Sequence, residues 1–281
     1  MPTSVNDVAG ENLFACARQC LDCAEPVLKC RMTGLAAAAL KSGQLSVVSE
    51  TDPEPIGVPG RPRLPRLVPP RDLPRRRLGS TLGRATLLHA LAHIEFNAIN
   101  LAWDAVYRFR GMPEAFYEDW VSVAVEEAYH FRLLCERLEA LGYGYGDFDA
   151  HDGLWEMAVK TAHDPLVRMA LVPRVLEARG LDVTPGIMQR LQQAGDSSAV
   201  EVLEIILRDE IGHVEIGTRW FRHLCAQRGL EPEATFAGLL QRYMKGQVKQ
   251  PFHYQARQQA GFNDIEMEML EKLASGRYSS S

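Results

Sequence analysis

Residues 120–141 read WVSVAVEEAYHFRLLCERLEAL, and residues 203–224 read LEIILRDEIGHVEIGTRWFRHL. In both, apolar residues recur every three to four positions, the period of an amphipathic helix. The inward stripe of the first is Trp120, Val123, Glu127, His130, Leu134, Leu138 and Leu141. That of the second is Leu203, Ile206, Glu210, His213, Gly217, Trp220 and Leu224. An ordinary amphipathic helix carries its charge on the outer face. These two instead place a Glu and a His, three residues apart, in the middle of an apolar stripe.

The spacing has a chemical reason. Positions i and i+3 leave a helix on one face about one turn apart, so a carboxylate and an imidazole can reach one metal ion. Burying a carboxylate with no cation beside it costs several kcal/mol or forces it to take up a proton. Two facing helices of this kind predict an all-α four-helix bundle, in which the other two helices give one bridging Glu each. Glu95 is the first: it alone is polar on the stripe Leu88, Ala92, Glu95, Ile99, Ala102, Val106. The second falls between residues 142 and 198, with Glu177 in RMALVPRVLEARGLD preferred and Glu156 in reserve. Four carboxylates and two imidazoles are hard and borderline donors, suited to iron first and manganese second.

Around these segments the pattern stays helical. Helices are expected over 11–45, 81–110, 114–141, 154–162, 165–179, 198–228, 232–245 and 263–275, with a short one in TPGIMQRLQQAGD and Gly180 as a stop. No alternating pattern is long enough for a sheet. Residues 50–79 differ. Between residues 50 and 80 lie eight of the sixteen prolines, and seven arginines lie from Arg61 to Arg77 against Asp72 alone. Proline at this density excludes helix. Residues 61–77 carry +6 and the rest of the chain −11, which predicts an extended arm held on an acidic body, with Leu64, Leu67, Val68 and Leu73 buried beneath it. The organisation expected is a helical segment at 1–49, the arm at 50–79 and a bundle with C-terminal covering helices at 80–281, one domain overall.

Composition narrows the function. The 281 residues are 46% hydrophobic and 24% charged with a net charge of −5, enough for a sizeable core. The negative balance argues against a general nucleic-acid partner. No apolar run approaches the ~20 residues of a membrane span. The start, MPTSVNDVAGENL, lacks a leader pattern, so a cytoplasmic location is expected. Cys16, Cys20, Cys23 and Cys30 lie in LFACARQCLDCAEPVLKC, where the helical period makes them buried apolar residues rather than metal ligands. His89 and His93 lie on a different stripe from Glu95, so His93 is expected beside the site rather than in it. Tyr143, Tyr145 and His151 belong to the loop GYGYGDFDAHDG.

HALAHIEFNAINLAWDAVYRF, YGDFDAHDGLWEMA, VPRVLEARGLDVTP and ILRDEIGHVEIG together resemble the bacterial ferritin-like family of domain of unknown function 455. The resemblance runs from about residue 60 to 270 and leaves the N-terminal cysteines outside it. It implies the ferritin-like fold of di-iron and di-manganese carboxylate proteins. By likeness to related oxygenases, Asp209 would orient His130, and Glu126 would do the same for His213. A dinuclear centre of this kind implies an oxidase or hydroxylase that activates dioxygen on a small-molecule substrate. Iron handling without an organic substrate is the alternative. A more distant likeness to iron-dependent tRNA hydroxylases gives a third reading. No flavin, nicotinamide or ferredoxin motif is present, so an external electron donor is expected.

Overall fold

The computed structural model describes residues 12–48, 51–74 and 77–277. Most of the N-terminal stretch read for a leader, the junction at 49–50, Arg75 and Arg76 of the arm, and residues 278–281 lie outside the described residues. Among the described residues the regular structure is helical, and β-type pairing is confined to the isolated bridges Asn12↔Ser46 and Leu67↔Ala150. No helix there is long and apolar enough to cross a membrane. The chain divides into two compact units, Met1–Val159 and Lys160–Ser281.

The first unit opens with two helices where one was expected over 11–45. Helix α1 spans Leu13–Asp22 and α2 spans Pro26–Lys41. Pro26 has no N–H to continue α1 but suits the first turn of a new helix, and Glu25 caps that turn by accepting from Val27 N at 3.1 Å. Lys29 is fully buried at this junction and donates to the carbonyls of Cys20 (2.7 Å) and Leu21 (3.3 Å) and to Asn100 Oδ1 (2.5 Å). It satisfies the C-terminal carbonyls of α1, and burial pulls its pKa down to about 8.

Helices α3 (Thr81–Arg108) and α4 (Glu114–Ala140) form the spine of this unit. Ser80 caps α3, accepting from Gly83 N at 3.1 Å. Between the helices Gly111, with φ +72°, takes a left-handed turn that a side chain would resist. The short link makes α3 and α4 an antiparallel pair; α1 packs on α3 and α2 on α4. Short α5 (Gly153–Lys160) follows the glycine-tyrosine loop.

The arm is tied to this unit along its length. Gly60 N donates to Leu21 O (2.6 Å), Val68 N to Ala150 O (2.8 Å) and Ala150 N to Arg66 O (3.0 Å). Trp155 Nε1 donates to Gly57 O at 2.9 Å. Two arginines pair with acids of the loop, Arg61 with Asp152 at 2.9 Å and Arg66 with Asp149 at 2.6 Å. The apolar anchors differ from expectation. Ile56, Pro59 and Pro65 are buried, Leu67, Val68 and Leu73 half-buried, and Leu64 is 59% exposed.

The second unit holds α6 (Pro165–Leu171), a π-helical turn at Val172–Glu177, and α7 (Ala178–Gln193) as one run. Gly180 does not stop it, and Pro185 lies inside α7 rather than opening a separate helix. Proline disturbs a helix by removing a donor and crowding the preceding turn, and Pro173 sits within the widened turn. Helix α8 (Ser197–Gln227), capped by Asp196, packs against this run. A Cβ on Gly217 would lie 2.2 Å from Pro173 Cγ, so only glycine lets the π turn approach α8. Helices α9 (Pro232–Tyr243), α10 (Tyr254–Gln259) and α11 (Asp264–Ala274) complete the unit. Arg174 is buried in a cage of Phe221, Phe236 and Phe262, 4.7, 4.0 and 4.6 Å from the ring centres, and its guanidinium donates to buried Glu266.

Candidate metal centre

In the first unit α3 supplies Glu95 and α4 supplies Glu127 and His130. All three side chains are buried. His130 Nδ1 lies 3.6 Å from Glu95 Oε2 and 3.6 Å from Glu127 Oε2. One donor atom from each falls within 4.8 Å of the others, two carboxylate oxygens and an imidazole nitrogen. That buried donor set fits a divalent cation. Burial works to lower the His130 pKa, but hydrogen bonding and charge from Glu127 and Glu95 outweigh it and push the imidazole up to about 11. Without metal, therefore, a proton on His130 offsets part of the carboxylate charge.

The second unit repeats the pair. On α8, His213 Nδ1 lies 3.6 Å from Glu210 Oε1, and both residues are buried. Glu177 is half-buried at the last position of the π turn, and such turns are frequent at functional sites. Glu156, the reserve candidate, is exposed on α5. The π turn itself was not anticipated. Its signal was Pro173 inside an otherwise helical run, three residues before Leu176 and four before Glu177.

The residues expected around the site have other contacts too. Asp209 Oδ1 accepts from Arg208 Nε at 2.8 Å, and Glu126 is half-buried on α4. His93 Nδ1 meets the Tyr145 hydroxyl at 2.9 Å, and Asn97 lies 3.0 Å from its Nε2. His89 Nε2 accepts from Gly146 N at 2.9 Å and its ring stacks on Tyr145. The two histidines thus fasten the glycine-tyrosine loop to α3. Burial, reinforced by the charges of His89, His151 and Arg61, pulls the His93 pKa down to about 4, so its ring is neutral. Cys16, Cys20 and Cys23 are buried among the N-terminal helices, and burial pushes the Cys20 thiol up to about 12.

Residues 22–268 match the model of a family described as "Protein of unknown function (DUF455)". The chain belongs to this family. All six candidate ligands lie inside the matched span, and so do α2 to α10. A relative described as "Uncharacterized protein", from Haemophilus influenzae, is 51% identical over 219 residues, covering 75% of this chain and 76% of that one. No solved structure matches the chain.

Proposed function

We propose that Glu95, Glu127, His130, Glu177, Glu210 and His213 together hold two metal ions, iron or else manganese, within a ferritin-like four-helix bundle. On this reading α3, α4, the α6–α7 run and α8 are its four helices, in one domain. The observation that carries it is the buried Glu95–Glu127–His130 cluster, whose Glu-x-x-His pair recurs on α8 in a second apolar stripe. Four carboxylates balance two divalent cations while the histidines stay neutral. Such a centre supplies dioxygen activation. The chain is then an oxidase or hydroxylase of a small organic molecule, fed by an external electron donor. Glu95, Glu177 and the two Glu-x-x-His pairs would hold the ions, and Asp209 and Glu126 would orient the imidazoles.

Metal analysis of protein purified without chelator tests the centre. The wild type should hold two ions per chain, and the Glu127→Ala, Glu210→Ala double variant should lose them. Equal metal in both proteins sinks the assignment. Anaerobic loading with ferrous ion followed by oxygen exposure tests the chemistry. Two bound irons that consume no oxygen would leave the centre standing and remove the oxidase.

A further inference from the structure

A groove of about 930 Å³ runs between α2 and α4 in the first unit. Val27, Cys30 and Gly34 line it from α2, and Val125, Ala128 and Cys135 from α4. Each set follows the three-to-four spacing of a single helix face. Gly34 is what leaves the space: a Cβ built there meets no atom within 4 Å. Phe131 and Tyr145 give the groove its aromatic side and pack edge to face at 5.0 Å. The Tyr145 hydroxyl is already bound to His93, so the ring offers apolar surface. Burial pushes the thiols of Cys30 and Cys135 up to about 11 and about 12, which keeps both protonated and apolar in behaviour.

Charge is confined to a rim of mixed sign, with Glu25, Glu136 and Glu139 against Arg31 and Arg132. Glu25 is committed to capping α2, and the Arg132 guanidinium lies over the Tyr129 ring, 5.7 Å from its centre. A rim with three acids and two bases has no excess cation to recruit an anion. A volume within the ~300–1,000 Å³ of small-molecule pockets, apolar walls and few polar groups are the marks of a ligand site. We propose that this groove binds a neutral, mainly apolar organic molecule with an aromatic body. On α4, Glu127 and His130 leave from the stripe that meets Glu95, whereas Ala128 and Cys135 line the groove. The inference therefore does not rest on the metal centre.

N-phenyl-1-naphthylamine, a neutral aromatic dye that brightens in apolar surroundings, tests it on metal-free and metal-loaded full-length protein alike. One dye per chain should bind in both forms. Gly34→Leu should weaken binding at least tenfold; a leucine favours the helix over glycine, and unchanged circular dichroism will show the variant is folded. Bound dye should also slow alkylation of Cys135 several-fold, read by mass spectrometry. The anionic relative 1-anilinonaphthalene-8-sulfonate should bind more weakly. Undiminished dye binding in Gly34→Leu, or dye that leaves Cys135 alkylation unchanged, overturns the site. Tighter binding of the sulfonate overturns the ligand class.

Discussion

His130 and His93 show how one residue type is driven in opposite directions. His130 gains two carboxylate neighbours, and they overcome the effect of its burial. His93 meets burial and the positive charges of its neighbours, with a tyrosine hydroxyl as partner. For His130 a metal must displace a proton at neutral pH, since the folded pKa lies near 11. Calorimetric titration with manganous ion should therefore show affinity rising from pH 6 to pH 8 together with proton release; an affinity flat across that range would contradict the reading. For His93 the folded pKa is about 4, below the ordinary value of about 6.5. Its contribution to stability is thus complete above about pH 6.5 and lost as pH falls toward 4, up to roughly 3 kcal/mol. Urea unfolding of the metal-free protein at pH 7 and pH 4.5 checks this, and His93→Gln should flatten that part of the pH slope.

At the scale of elements, the π turn and α8 depend on a glycine. Gly217→Ala would set a methyl 2.2 Å from the rigid Pro173 ring, and the backbone has to give. The expected cost is roughly 1–3 kcal/mol by chemical denaturation. Gly238→Ala on α9, where a Cβ meets nothing within 4 Å, should instead stabilise by roughly 0.5–1 kcal/mol. Equal effects at the two positions would show that close packing of Pro173 on α8 is not what Gly217 serves. The arm has a different logic. Its exposed Arg66–Asp149 pair adds little, and the paired backbone of Val68 and Ala150 with buried Ile56, Pro59 and Pro65 holds it.

For the whole molecule, a metal bound only by the folded chain should stabilise it by mass action. At a free metal concentration about 100-fold above the dissociation constant the gain is about 2.7 kcal/mol. Manganous ion should accordingly raise the Tm of the wild type by several degrees in a thermal scan. The Glu127→Ala, Glu210→Ala variant should show no rise, since it lacks one carboxylate in each unit. A rise of equal size in that variant would mean the ion binds elsewhere.

The sequence by itself determined the all-helical class, the ends of α3, α4 and α8 to within two residues, and the two Glu-x-x-His pairs. It could do so because period, capping residues and misplaced charge are local features written along one helix. That Glu95 joins Glu127 and His130 was legible for the same reason: a lone acid on an apolar stripe needs a partner. The break at Pro26 follows proline's own preference for a first turn and was passed over, whereas the run through Gly180 and Pro185 goes against the local preference of those residues. Only the tertiary structure decided the π turn that carries Glu177, the buried Lys29 among α1 carbonyls and Asn100, and the caged Arg174 with Glu266. Those partners lie 71 and 92 residues away along the chain, and no local pattern marks which distant group will meet a buried cation. The groove between α2 and α4 is of the same kind, a space defined by two helix faces that meet only when the chain is folded.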